Sequence, residues 1–227
     1  MTRKDCSITL FAFANRKEAT MKKPRGLENG QRAALLISEC QRAVIDPALA
    51  MFPGIAEQVQ QRGIISRIAR LADAMREQGL PVIHLHVAHR PGYVDLPLTS
   101  VVVAQTSKAG RMIQGSADVE PVPELAPAPG DILHSRSFSL VSFHGTDLDT
   151  ILRNMNVQTV ILAGVSTNVA ISGTALCASD LGYQVLVAED CIAGATEETH
   201  RFICKNLLPL YSTLSDSDSL IQALQPA

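Results

Sequence analysis

Chemistry-bearing side chains gather at a few points of the sequence. Glu39, Cys40 and Gln41 follow a short apolar run. An acid at the end of a buried strand loses hydration, so its pKa should rise toward the range of a general acid. The structural alternative is that Glu39 caps a backbone group or pairs with an arginine. Further on, His84, His86 and His89 form the pattern H-x-H-x-x-H. On a strand His84 and His86 share a face, with His89 in the loop beyond. Three imidazoles suit zinc, but strand-end histidines more often only hydrogen-bond. His86 and His89 are therefore read as substrate contacts, with no metal and no cofactor expected. His134 and His144 are read as structural and His200 as a solvent-exposed helix residue. The run Gly164-Val165-Ser166-Thr167-Asn168-Val169-Ala170 is a turn feeding a helix. Its amide hydrogens favour developing negative charge. As an ordinary turn it would need only Ser166 or Thr167 as an N-cap.

Strands must present these residues. Ala33 to Ser38 is a nearly continuous apolar run, as in a strand buried on both faces. Ile64, Ile65, Ile68, Leu71, Ala72 and Met75 follow helical spacing and stop at Gly79. Residues 81–86 and 131–134 read as strands. Residues 90–130 read as a long functional loop with short elements, where Leu96 to Val103 would supply a lid or a subunit contact, or pack on its own sheet. Thr146 caps a predicted helix over 147–155. Strand 157–164, helix 167–181, strand 183–189, helix 197–207, strand 211–214 and helix 217–224 complete the pattern, with Ser215 or Asp216 capping the last helix. The alternation predicts an α/β fold: three α/β/α layers around a central, mostly parallel six-stranded sheet. Ligands of such sheets bind at the carboxyl ends of the strands, where Glu39, His86, His89 and the Ser166 turn lie.

Composition narrows the partners. The chain has 227 residues, 46% of them hydrophobic, enough for one sizeable core. With 20 Lys+Arg against 22 Asp+Glu the net charge is −2, too little field for nonspecific nucleic-acid or membrane binding. No segment approaches the roughly 20 apolar residues of a membrane span. The five cysteines (Cys6, Cys40, Cys177, Cys191, Cys204) contain no C-x-x-C pair and fit a reducing, cytoplasmic setting. Met1 to Ala14 resembles a very short signal peptide, but Asp5 interrupts its basic part. Residues 1–30 are read instead as a flexible or partly docked leader, with Met21 as an alternative start, and residues 31–227 as the domain.

Five blocks carry a specific resemblance: Leu35 to Gln41, Ser142-Phe143-His144-Gly145-Thr146-Asp147-Leu148, Gly164 to Asn168, Gly182 to Val185, and Glu189-Asp190-Cys191-Ile192-Ala193. In order and spacing the chain resembles the isochorismatase-like hydrolase superfamily, the cysteine hydrolases. That resemblance implies a six-stranded parallel sheet, a homo-oligomer (dimer or tetramer), a small-molecule substrate, and a cis peptide before Ser166 beside an oxyanion hole. It also implies an Asp–Lys–Cys triad, and this sequence departs from it throughout. Glu39 stands at the Asp position and Ala170 at the Cys position. Counting from Asp131 puts Arg136 at the Lys position; counting back from Phe143 puts Ser137 there. Arg136 is preferred because it keeps a cation opposite Glu39. Gln41, His86, His89, Phe143, Val165, Ser166, Asn168 and Val169 complete the expected substrate-binding set. The zinc site of nicotinamidase-type relatives uses an Asp-x-His and a further His; here His84-Leu85-His86 occupies the comparable strand end without the Asp.

A methyl group at Ala170 cannot attack a carbonyl. Cys177 lies about two turns deeper on the same helix face, Cys40 points away from Glu39, and Cys191 would reach the crevice without a base. An amidase working through a thioester is disfavoured. The family branch that protonates vinyl ethers needs no Cys. Two readings remain: a Cys-independent hydrolase of a small carboxylated or carbonyl-bearing molecule with Glu39 as acid and Arg136 as cation, or a pseudoenzyme that binds a small molecule or a partner.

Overall fold

The computed structural model describes residues 23–225, so the signal-like segment Met1 to Ala14 lies outside the described residues. Six parallel strands form one sheet: β1 (Ala33–Ser38), β2 (Val82–Val87), β3 (Ile132–Arg136), β4 (Thr159–Val165), β5 (Gln184–Ala193) and β6 (Thr213–Ser215), in spatial order β3-β2-β1-β4-β5-β6. The strand order reverses its march between β1 and β4, and that switch point is where a doubly wound sheet opens a crevice.

Every residue of β1 is buried, and alternation divides its side chains between two cores. Leu35 and Ile37 join Ile64, Ile68, Leu71 and Met75 of α3 (Ile64–Glu77) and Leu220 of α8 (Ser217–Leu224). Ala34 and Leu36 join Leu148 and Leu152 of α5 (Leu148–Asn154) and Ala175 and Ala178 of α6 (Ser172–Asp180) on the other face. Cys204 of α7 (Glu197–Asn206) is on that second face as well. A strand sandwiched in this way has no polar side to show, which is why the run Ala33 to Ser38 reads as continuously apolar.

Several boundaries differ from expectation for local reasons. Asp147, not Thr146, takes the N-cap position of α5, while the Thr146 hydroxyl accepts from Leu148 N at 3.3 Å. The helix predicted over 167–181 begins as a π-helical turn, Thr167–Ile171, and becomes α-helical only at Ser172. A short helix α1 (Arg42–Ile45) and a longer helix α2 (Pro53–Arg62) stand where none was predicted, α2 opened by proline at N1 and closed by Gly63 in the left-handed region at φ +60°. The long segment after β2 contains a helix of its own, α4 (Val101–Lys108), capped by the Ser100 hydroxyl. Before β1, Leu27 is buried and the Gly26 carbonyl accepts from the Thr159 hydroxyl at 2.6 Å, so this part of the segment read as a leader packs onto the sheet.

Candidate active site at the carboxyl ends of the strands

A cavity of about 450 Å³ opens at the carboxyl end of the sheet. Its deep wall holds Glu39 after β1, Arg136 at the end of β3 and Ser166 after β4. His89 lies beyond β2, and Asn168 and Val169 come from the π turn. The outer wall is apolar: Met51, Phe52 and Ile55 from one side, Val102 and Val103 of α4 from another. The two valines fall in the segment read as a lid or contact, whereas Met51, Phe52 and Ile55 were not predicted. Nothing in their types suggests chemistry, and no periodicity links the segments that bring them together.

Glu39 has φ +51°, which breaks the strand alternation and turns its side chain into the cavity. Its amide still donates to Leu85 O at 2.9 Å, so the strand ladder holds the residue in place. The carboxylate receives a hydrogen bond from Arg136 Nη2 as an ion pair. Burial would penalise a lone carboxylate, and the guanidinium compensates it. Arg136 is pinned on its other sides: Nε donates to Ser139 O at 3.0 Å and Nη1 to Ser142 Oγ at 3.4 Å. Its side chain is 2% exposed against 18% for Glu39, so the carboxylate is the part of the pair that faces the cavity. Ser137 instead joins His89, Arg90 and Asp95. Its carbonyl receives a 2.6 Å hydrogen bond from His89 Nδ1, and its hydroxyl donates to Asp95 at 2.7 Å. The geometry thus places Arg136, and not Ser137, against Glu39.

The cis peptide lies between Val165 and Ser166. The amides of Val169 and Ile171 donate to Ser166 O at 3.2 and 3.0 Å, so these two amides are engaged within the turn rather than free for a ligand. Asn168 Oδ1 accepts from Ala195 N at 3.2 Å, tying the π turn to the end of β5. Gly164 has φ +101°, and a Cβ there would overlap the Ser38 carbonyl; glycine lets β1 and β4 close up directly behind Glu39.

Other expected site residues stand away from the cavity wall. Gln41 is fully buried as a staple: its Nε2 donates to Val87 O and Val119 O, and its Oε1 accepts from Val87 N. His86 is buried beside Val119, and burial, reinforced by His84 and Arg136, pushes its pKa down to about 4. Phe143 stacks on Tyr183 with ring centroids 6.0 Å apart in the core. Val165 belongs to the other core, and Ala170 is buried at the π turn whose neighbouring residues face the cavity. His200 is not on the surface. It is buried against the turn, its Nδ1 3.0 Å from the Thr167 hydroxyl, because α7 lays this face on the sheet.

Among the described residues no cysteine lines the cavity. Cys40 and Cys191 are fully buried, and burial pushes the Cys40 thiol up to about 12 and that of Cys191 higher still. The three strand-end imidazoles do not converge. His84 Nε2 is 3.0 Å from Asp131, and its ring centroid lies 6.3 Å from that of His86. Among the described residues only Glu189, His200 and Cys204 come close enough together to suggest an ion. There the sulfur is 3.6 Å from His200 Nε2 and 4.0 Å from Nδ1, which puts it beside the ring and off the nitrogen lone pair.

Fold and cavity define a doubly wound α/β domain with a cavity at the carboxyl ends of the strands. The chain matches the Isochorismatase domain over residues 33–219 and belongs to that family. It is 26% identical over 204 residues to the isochorismatase family protein YecD of Escherichia coli O157:H7, covering 86% of this chain and 98% of the relative. It is 25% identical to the maleamate amidohydrolase of Pseudomonas putida, covering 86% and 87% of the two chains. The crystal structure of an isochorismatase family protein from Desulfovibrio vulgaris superposes with a TM-score of 0.75 at 25% identity, covering 86% of this chain and 99% of that one. Among the described residues no helix is long and apolar enough to cross a membrane.

Proposed function

We propose that this isochorismatase family member is a hydrolase of a small carbonyl- or carboxyl-bearing molecule that works without a cysteine nucleophile. The observation that carries the reading is the Glu39 carboxylate, held by buried Arg136 and opening on the cavity. Glu39 is the acid/base residue. An ion pair is a contact of the charged form, so Glu39 enters the cycle as a base. It takes a proton from water, the water oxygen bonds to the substrate carbon, and Glu39 returns the proton as an acid to the departing group. Arg136 keeps Glu39 oriented and its charge compensated. Ala170 stands where the family cysteine would attack, so water is the nucleophile. The amidohydrolase among the relatives supports hydrolysis as the reaction class. The proposed setting is a cytoplasmic homo-oligomer with no cofactor.

The test is a screen of small esters and small amides, with vinyl ethers, which need an acid-first route, as the contrast, and with the parent beside Glu39→Gln and Ala170→Cys. Turnover in the parent that falls about 100-fold or more in Glu39→Gln, and that resists thiol alkylation, is the expected result. Turnover abolished by alkylation would overturn the mechanism in favour of a thiol. Silence of the parent across the panel would favour the pseudoenzyme reading, for which the closed pairing of Glu39 with Arg136 is the supporting observation.

A further inference from the structure

The charge and polarity of the cavity select among the molecules proposed as substrates, a selection that rests on this cavity being the functional site. In a largely apolar cavity a carboxylate ligand is held most strongly by a cation with an N–H to offer. Among the described residues Arg136 is the only cation in the cavity wall. Its Nη2 is engaged by Glu39, its Nε by Ser139 O and its Nη1 by Ser142 Oγ, and its side chain is 2% exposed. These bonds use three of the five guanidinium N–H groups, so a ligand carboxylate would have to compete with Glu39 for a cation that is almost fully buried. The cavity presents the Glu39 carboxylate instead, a like charge. The surrounding surface of Met51, Phe52, Ile55, Val102, Val103 and Leu140 offers no compensation for a second anion.

Of the polar side chains that remain in the wall, His89 and Glu39 can accept from a ligand. His89 Nδ1 lies 2.6 Å from Ser137 O, and a carbonyl only accepts, so Nδ1 carries a hydrogen, and in the neutral imidazole Nε2 is the acceptor. Among the described residues Nε2 has no hydrogen-bond partner, and His89 lines the cavity. Glu39 adds a second acceptor. Two donors stand beside them: Asn168 holds Ala195 N with Oδ1, which leaves its Nδ2 to donate, and the Ser166 hydroxyl lines the cavity with no partner among the described residues.

We propose that the cavity binds an uncharged molecule with an apolar body and a hydrogen-donating head, an N–H or O–H received by His89 and Glu39, and that it rejects carboxylates. The volume suits a single small ring with a short polar arm. His89 is then a specificity residue, since a buried acceptor left without its donor is what disfavours the wrong ligand.

The full-length protein is titrated by calorimetry and ligand-observed NMR with three probes of one shape: phenylacetamide, N,N-dimethylphenylacetamide and phenylacetate. Phenylacetamide is expected to bind at least about tenfold more tightly than the other two, one of which lacks the N–H and one of which is an anion. Val169→Trp, which narrows the cavity beside Ser166 and Asn168, should weaken the binding. In His89→Phe the preference for phenylacetamide over its dimethyl form should disappear, while in Glu39→Gln phenylacetate should gain affinity. Phenylacetate binding the parent as well as phenylacetamide does, or neither amide binding, would overturn the proposal. So would a dimethyl amide that binds as tightly as the parent amide. These readouts are binding, so their failure is distinct from failure of the hydrolytic reading, which is decided by turnover in the parent and Glu39→Gln.

Discussion

Glu39 and Arg136 each make the burial of the other tolerable, so removing one is costlier than removing both. Glu39→Ala should destabilise the fold by about 3 kcal/mol, because Arg136 would remain charged and enclosed. The double replacement by Met at both positions should recover most of that loss. Urea unfolding of the single and double variants decides it; a double variant as weak as the sum of the singles would refute the coupling. Buried imidazoles make a second prediction. Burial pushes both His86 and His200 down to about 4 in the folded chain. Unfolded, they titrate near the ordinary value of about 6.5. Between these values the unfolded chain holds more protons, so stability is complete above about pH 6.5 and falls as pH drops toward 4. Each contributes on the order of 2 kcal/mol over that window. His200→Gln should therefore flatten the dependence of the urea midpoint on pH between 6.5 and 4; an unchanged slope would be the contrary result. The site was only partly readable at this scale. Of the residues expected at the strand ends, Glu39, His89, Ser166, Asn168 and Val169 line the cavity, whereas Gln41 and His86 are buried off its wall, and sequence cannot tell the two cases apart because a buried polar side chain and a cavity-facing one have the same residue types. What separates them is whether a backbone partner is waiting, as Val87 and Val119 are for Gln41.

At the scale of elements, the alternation of apolar runs and helical spacing was enough to anticipate the parallel sheet. A two-faced burial requirement leaves a strong imprint on composition. Helix α2 had its signals in Pro53 and Gly63, but its weak apolar stripe hid it. Helix α4 was obscured by its three consecutive valines, which suit a strand by propensity. Only placement against the cavity separates Val102 and Val103, which line it, from Val101, which is 72% exposed. The contact of β1 with β4 depends on a single backbone position. Gly164→Ala should be severely destabilising, since its Cβ would collide with the Ser38 backbone and its φ is strained for any side chain. Soluble yield and a thermal melt would show it; a variant melting within a few degrees of the parent would contradict the close approach.

For the whole molecule, two cores share one sheet, and a cavity in either layer weakens both. Leu36→Ala, in a fully buried strand position, should cost about 2–5 kcal/mol without touching the cavity residues. Denaturation would measure the loss, and turnover per folded molecule should stay at the parent value. Strand order has a further consequence, felt while the chain is being made. β1 pairs with β4, and Ala33 is matched with Thr159. As the chain leaves the ribosome, one edge of this fully buried strand waits for more than half the protein to follow before it is covered. During that interval Ala33 to Ser38 offers an open strand edge to other nascent chains. Fragments ending before Thr159 should accumulate in the insoluble fraction, and fragments reaching beyond Ala193 should not. Assembly order, set by which strand lies in the middle, is thus as much a constraint on this chain as the stability of the finished domain.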